Sequence, residues 1–238
     1  MQRYFVKGNI ENVIFENDDI FHICKVMRLK KDDNIEVVLD SKIYLASIVA
    51  LEPFKVKIIE TIEENRELAN DITLLYCLPK GDKLDLVIQK ATELGVRKIV
   101  GVISMRTIVH IEEKDKNKKI MRYNRIIKEA SEQSKRSKIP TFEAIINFNE
   151  IDQYVSTHNF IAYEKEALNK NNLFNELSSI KPYESISILV GAEGGFTFDE
   201  VLKANDMGFK NVSLGKLILR SETAAIYFMS VLSFMLSR

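Results

Sequence analysis

The sequence predicts an α/β protein in which a small β-rich unit precedes a larger one built on a mostly parallel sheet. Three observations predict it. From Ile72 onward, short β-branched apolar runs alternate with amphipathic helical stretches, the pattern of strands joined by crossover helices. Before that, β-branched runs follow one another with only turn residues between them. The third is the stretch Ile186-Ser187-Ile188-Leu189-Val190, which stops at Gly191-Ala192-Glu193-Gly194-Gly195 and is followed by Thr197-Phe198-Asp199-Glu200. A buried strand, a glycine loop and a capping box that starts a helix put a ligand at the carboxyl end of a sheet. A tight turn with no ligand has the same local pattern. The loop is neither a Gly-x-Gly-x-x-Gly dinucleotide loop nor a phosphate loop ending in Gly-Lys-Ser/Thr.

In chain order, Asn34–Leu39, Tyr44–Val49 and Lys55–Ile59 read as strands, divided by Asp40-Ser41-Lys42 and Glu52-Pro53. A helix from Asp19 to about Val26 precedes them, with Asp18 as its N-cap. Glu63–Asp71 is polar and aperiodic, and sets the domain boundary: 1–68, then 69–238. In the second domain Ile72–Cys77, Lys98–Val102, Phe142–Ile145, Phe160–Tyr163 and Ile186–Val190 read as strands. Lys83–Leu94 is a helix stopped by Gly95. The helix opened by Thr197 runs to about Met207 and stops at Gly208. Asn211–Gly215 is a further short strand ending in glycine, and Ala224–Met235 closes the chain as a helix apolar nearly all round. A helix of that kind needs cover on both sides; a core supplies one, and a second copy of the chain in a homodimer supplies the other.

Bulk properties bound the class. With 238 residues and 46% hydrophobic side chains the chain buries one large core or two modest ones. Cys24 and Cys77 sit in apolar surroundings without Cys or His at metal spacing, which predicts reduced core residues, no metal and a cytosolic protein. The longest apolar run, Ala224–Leu236, is short of the roughly 20 residues of a bilayer span, so no membrane is expected. The 34 Lys and Arg balance 34 Asp and Glu, which excludes a globally basic protein. Lys114–Lys138 departs from that balance, with ten basic residues against three acids (Asp115, Glu129 and Glu132). Ile120, Tyr123, Ile127, Ala130 and Ser134 follow helical spacing there, and Lys118, Arg122 and Arg125 fall opposite. A helix with its basic excess on one face suits a polyanion.

Two glycine elements together carry a family resemblance. Gly191-Ala192-Glu193-Gly194-Gly195 and Leu214-Gly215-x-x-x-Leu219-Arg220-x-Glu222-Thr223-Ala224 resemble the knotted SPOUT RNA methyltransferases. Among them they look most like the ribosomal RNA small subunit methyltransferase E family, which methylates N3 of a uridine in 16S rRNA. The resemblance implies a deep trefoil knot, a PUA-like N-terminal β-barrel, a homodimer and S-adenosylmethionine as cofactor. Its cofactor residues fall here on Leu78, Gly191, Ala192, Glu193, Gly194, Gly195, Leu214, Gly215, Ile218, Leu219, Thr223 and Ala224. A Cβ at Gly194 or Gly215 is expected to block close backbone approach.

Three further blocks extend the resemblance. His22-x-x-x-Val26-Met27-Arg28 is similar to a segment of the PUA-like domain that helps hold RNA, and with Lys30 it is the RNA-binding expectation for the first domain. The run Leu78–Asp85 and Gln89–Val96 is long and ungapped. In it Lys80 and Lys83 suit a phosphate at a helix start, while Gln89, Lys90 and Glu93 equally suit the polar side of an amphipathic helix. Glu132-Gln133-Ser134-Lys135-Arg136 resembles a segment that faces the substrate, adding Gln133, Lys135 and Arg136 to the RNA set. Arg106 follows Ser104-Met105 where the family has Ser-Glu-Arg. Its expected partner is an anion, either an RNA phosphate or a carboxylate. Ala162-Tyr163-Glu164 matches a Tyr-Glu step. Ala192 replaces a proline, and Lys216 and Leu217 replace Pro and Arg of the family pattern.

The expected reaction is attack of N3 on the sulfonium methyl, with 16S rRNA or the small ribosomal subunit as partner. Because N3 of uracil is protonated at neutral pH, a base or positive charge is needed; Arg136, Glu193 and Arg220 are the candidates. The alternatives are a knotted methyltransferase acting at another RNA position, a non-catalytic RNA-binding or ribosome-assembly protein, and a nucleotide-binding α/β protein unrelated to RNA, which leaves the basic helix unexplained.

Overall fold

The structure is a computed structural model that describes residues 1–109, 111–163 and 173–237. It divides into two units: Met1–Glu67 with Ser131–Ile139, and Leu68–Ala130 with Pro140–Arg238.

The first unit is a four-stranded sheet in the order β1 (Arg3–Phe5), β4 (Asn34–Leu39), β5 (Lys42–Leu51), β6 (Phe54–Ile62), with a short hairpin of β2 (Lys7–Gly8) and β3 (Val13–Ile14). β1 runs parallel to β4; β4, β5 and β6 are antiparallel neighbours. The buried face alternates as a half-buried sheet should, with Ile35 and Val37 from β4 and Ala46 and Ile48 from β5 around Tyr4 and Ile23. The helix before β4 differs from expectation. α1 (Asn17–Phe21) has Glu16, two residues before Asp18, at its N-cap position without a side-chain capping bond, and passes directly into a π-helical turn, His22–Val26. The wider turn leaves Arg28 in the left-handed region at φ 55°.

A distant segment completes this unit. Arg3, 1% exposed, donates from Nε to Glu36 at 2.8 Å and from Nη1 to the carbonyls of Lys135 and Arg136. Lys135 Nζ reaches Glu36 at 3.0 Å. Arg136 is buried and pairs with Glu67 at 2.7 Å, whose carboxylate also accepts the amides of Ser137 and Lys138. A buried guanidinium persists only when paired and hydrogen-bonded, and Arg3 and Arg136 both meet that requirement.

The second unit is a six-stranded, all-parallel sheet in the order β12 (Lys210–Val212), β10 (His158–Ala162), β11 (Ile186–Val190), β7 (Ile72–Cys77), β8 (Lys98–Ile103), β9 (Thr141–Asn147). Both faces are covered. On one, α2 (Lys83–Glu93), α3 (Glu113–Gln133), α4 (Leu173–Ser178) and α6 (Ser221–Leu236) bury Leu74, Tyr76, Ile99, Ile186 and Ile188. On the other, α5 (Phe198–Asp206) and the 3-10 turn Phe148–Tyr154 bury Leu75, Cys77, Val100, Val102 and Leu189. Strict alternation along β7 thus serves two cores, as a doubly covered parallel sheet requires. Cys77 is a free thiol, and burial pushes its pKa up to about 12. Among the described residues no group of acids, His and Cys can hold a metal, and no helix is long and apolar enough to cross a membrane.

Candidate active site

Strands β11 and β10 end side by side, and the loops that follow β11 and β12 close over them. Between them lies a cavity of about 500 Å³. Gly191–Phe196 forms one wall and Ser213–Ser221 the other, with Lys83, Ala162, Tyr163, Val190 and Ala224 completing the lining.

The first loop is held from several sides. Gly195 N–H donates to the Ala192 carbonyl at 2.9 Å, closing a tight turn, and Gly195 sits at φ +61°. A Cβ on Gly191 would lie 3.2 Å from the Gly195 Cα and the Phe196 ring, so glycine is needed there for the turn itself. Ser221 Oγ donates to the Gly191 carbonyl at 2.5 Å, and the Tyr76 hydroxyl lies 2.8 Å from that Oγ. With the serine proton committed, Tyr76 is the donor to Ser221; burial pushes its pKa well above the usual phenol value, which keeps that proton in place. Arg106 Nη1 donates to the Gly194 carbonyl at 2.6 Å. Thr197 and Glu200 form the expected reciprocal capping box, and Glu200 additionally accepts the Met105 amide at 2.7 Å.

Glu193 carries the charge of this loop. It accepts from Lys83 Nζ at 3.0 Å and from the Lys80 amide at 3.2 Å. Partial burial raises its pKa, but hydrogen bonding, chiefly its own backbone amide and Lys83, outweighs that and leaves the carboxyl below the usual range. Lys83 also lies 3.4 Å from Glu222. The second loop is open by contrast. Gly215 adopts φ +123° with nothing within 4 Å of a Cβ, and Leu217 and Ile218 are 81% and 86% exposed.

Residues 66–233 match an RNA methyltransferase domain and residues 15–60 an RNA methyltransferase PUA domain. Ribosomal RNA small subunit methyltransferase E of Bacillus subtilis (strain 168) is 34% identical over 98% of this chain and 96% of its own. The chain belongs to the ribosomal RNA small subunit methyltransferase E family. A Mesomycoplasma hyopneumoniae member is 33% identical over 97% of this chain and 98% of its own. The crystal structure of a Neisseria gonorrhoeae member bound to S-adenosylmethionine superposes with a TM-score of 0.85 at 30% identity, covering 99% of this chain and 98% of that one.

Within that family frame, the residues expected from sequence are placed as follows. Gly191, Ala192, Glu193, Gly194, Gly195, Leu214, Gly215, Ile218, Leu219, Arg220 and Ala224 all line the one cavity. Leu78 and Thr223 do not: Leu78 is buried in the core and Thr223 is exposed on α6. Lys80 and Lys83 serve Glu193, and Arg106 serves a main-chain carbonyl where an anion was expected. Lys118, Arg122 and Arg125 share the exposed face of α3, with Arg122 paired to Asp85 and Arg125 to Glu129 at 3.3 Å. In the first unit His22 Nδ1 lies 3.0 Å from the Tyr4 hydroxyl, Arg28, Lys30 and Gln133 are exposed, and Lys135 and Arg136 carry the buried network. Glu164, the acid of the Tyr-Glu step, lies outside the described residues. The sequence reading missed Tyr76 and Ser221, which hold the glycine loop from behind. The available signal was a serine one turn ahead of the expected start of the last helix.

Proposed function

We propose that this chain transfers the methyl group of S-adenosylmethionine to N3 of a uridine in 16S rRNA of the small ribosomal subunit. One observation carries the reading: two glycine loops wall a single cavity at the carboxyl edge of a parallel sheet, where α/β folds place their ligands. A volume of about 500 Å³ suits a cofactor of that size. Val190, Leu214, Leu219 and Ala224 offer an apolar wall for a purine, main-chain groups of the loops offer polar edges, and ionised Glu193 offers an anion to a cationic ligand. Bound there, S-adenosylmethionine supplies an electrophilic methyl on a sulfonium. This chain's own residues must orient the uracil and accommodate charge on N3 as its proton leaves.

Arg220 is the residue we assign to that charge. It lines the cavity, is exposed, and among the described residues its guanidinium has no ion-pair partner. Glu193 is a weak proton acceptor because its lowered pKa favours the carboxylate, so its role is electrostatic. Arg136 is committed to Glu67. The basic face of α3 and the PUA-like unit at His22, Arg28 and Lys30 supply phosphate contacts. The sheet order, in which β10 separates β11 from β12, supports the knotted path the family resemblance implies. Tyr227 and Phe234, exposed on α6 at 45% and 72%, support a homodimer covering that face. Phe234→Asp is then expected to yield a folded monomer in light scattering; a dimer undisturbed by it removes the assignment.

The deciding experiment is mass spectrometry of nucleosides from 16S rRNA in cells lacking the protein and in cells complemented with wild type or Arg220→Ala. N3-methyluridine is expected to disappear on deletion and return with wild type alone. A methyl mark lost from another position overturns the nucleotide assignment, and no lost mark overturns the enzymatic one.

A further inference from the structure

The peptide joining Gly194 to Gly195 is the part of the cavity wall with the greatest intrinsic freedom. Neither residue has a Cβ to bias its torsions, so rotation of this peptide plane meets little steric resistance. Such a flip would exchange a carbonyl for an N–H on the wall of a ligand site. In the structure the plane is held at both ends. Its N–H donates to the Ala192 carbonyl at 2.9 Å, and its carbonyl accepts from Arg106 Nη1 at 2.6 Å. The first bond belongs to the turn; the second is supplied by a side chain from the loop that follows β8.

Arg106 also explains why residue 194 is glycine. A Cβ there would lie 3.0 Å from the Arg106 Cβ and 3.3 Å from its Cδ. The arginine stem therefore lies along the glycine, and the guanidinium curls over to its carbonyl. A Cβ at Gly194 is thus crowded by Arg106, besides any obstruction of a ligand in the cavity that Gly194 lines. The base of the arginine is itself fixed. Glu200, one member of the capping box directly after the glycine loop, accepts the Met105 amide at 2.7 Å, and Thr107 N–H donates to the Ser104 carbonyl at 3.0 Å. One carboxylate thus locks the start of α5 and the loop that carries Arg106.

We infer that Arg106 is a positioning residue of the cofactor site, holding the Gly194–Gly195 peptide in the orientation the ligand reads, and is not primarily a phosphate ligand. This rests on the methyltransferase reading for the identity of the ligand, while the peptide geometry is independent of it. A charge-assisted bond from an arginine that remains exposed sets the expected effect at about tenfold in affinity. Arg106→Ala removes the stem that crowds residue 194, its Cδ at 3.3 Å included, and leaves the Cβ at 3.0 Å, so Gly194→Ala is expected to harm cofactor binding in the wild-type background and to do somewhat less harm in Arg106→Ala. That non-additivity is a signature that a remote structural role lacks.

The test is calorimetry with S-adenosylmethionine on the full-length protein without RNA, across wild type, Arg106→Ala, Gly194→Ala and the double variant. It is run beside hydrogen exchange of the Gly195 amide and the salt dependence of RNA binding. The inference expects about tenfold weaker cofactor binding in Arg106→Ala, faster Gly195 exchange, an unchanged RNA salt slope and coupling in the double variant. Unchanged cofactor affinity and Gly195 exchange, with a salt slope reduced by roughly 0.7–0.9, would make Arg106 a phosphate ligand and overturn it. If wild type itself does not bind S-adenosylmethionine, the methyltransferase reading fails, and Gly195 exchange alone then upholds or overturns the positioning role.

Discussion

Replacing Gly215 by alanine separates conformational strain from steric obstruction. The residue adopts φ +123°, and a Cβ added to it would meet nothing within 4 Å. Alanine is therefore opposed by the backbone torsion alone, far from the left-handed well near φ +57° that non-glycine residues reach. Holding a residue in such a region costs about 1–3 kcal/mol. The loop is open, with Gly215 to Ile218 exposed, so it relaxes to an allowed φ and the native loop becomes the minority conformation. Leu214 and Lys216, on either side of Gly215, line the cavity, and the strain is then felt as roughly five- to 150-fold weaker S-adenosylmethionine binding. Gly208 is the internal control. It has φ +92°, nothing within 4 Å of a Cβ, and a place at the end of α5 outside the cavity lining. Gly208→Ala carries a comparable torsional cost in a helix terminus that cannot relax freely, so its melting temperature should fall by a few degrees with cofactor affinity intact. Calorimetry and thermal melts on the two variants give opposite patterns. Gly215→Ala binding as wild type would show that the second loop's shape does not set the site.

Three other outcomes are expected. Ser221→Ala strands the Gly191 carbonyl and the Tyr76 hydroxyl in the interior and should cost about 1–3 kcal/mol in denaturant unfolding; a neutral result would mean the Tyr76–Ser221–Gly191 chain is not formed. Arg136→Ala leaves Glu67 buried without its cation and should cost about 3–5 kcal/mol. Although burial raises the pKa of Glu67, Arg136 and the amides of Ser137 and Lys138 hold it below the carboxylate range. Its contribution is present above about pH 4.3 and lost as pH falls through the lower folded value, so a wild-type stability profile that is flat there contradicts the pairing. Replacing Lys118, Arg122 and Arg125 together by alanine should reduce the salt slope of RNA binding, each phosphate contact being worth roughly 0.7–0.9, without altering cofactor affinity. An unchanged slope would reduce the face of α3 to a solvated surface.

Local rules carried the sequence reading as far as local rules reach. Ile72–Cys77 and Ile186–Val190 match β7 and β11 to the residue, because strands covered on both faces are nearly continuous apolar runs, here started after a polar residue and ended by Leu78-Pro79 or Gly191. The capping box at Thr197 and Glu200 is a four-residue pattern and was readable for that reason. The start of α1 was misplaced because its N-cap position, Glu16, makes no side-chain capping bond and is not a capping residue type, and the π-helical turn that follows has no periodic signature. Lys83 was expected to suit a phosphate, and Arg106 an anion, either an RNA phosphate or a carboxylate. A cation's partner is set by which loops meet in space, and Glu193 lies 110 residues from Lys83 and Gly194 88 residues from Arg106. Ser221 escaped notice for the same reason, with Tyr76 lying 145 residues away.

The buried network around Arg3 imposes an order on synthesis. Arg3 lies deep in the first unit, yet two of its acceptors are the carbonyls of Lys135 and Arg136, the nearer of them 132 residues along the chain. As the chain leaves the ribosome, residues 1–67 emerge with Glu36 and Glu64 available to Arg3 but without the two carbonyls its Nη1 donates to, and with Glu67 awaiting Arg136. The N-terminal sheet can begin to pair strand by strand, but its interior cannot seal until α3 has been made and Ser131–Ile139 has come back to it. Until then the nascent unit stays open at Glu67, which lacks its cation, and at Arg3 Nη1, which lacks its carbonyls. A chain cut after Glu67 is expected to stay in that open state, and adding Ser131–Ile139 as a separate peptide is the direct way to close it.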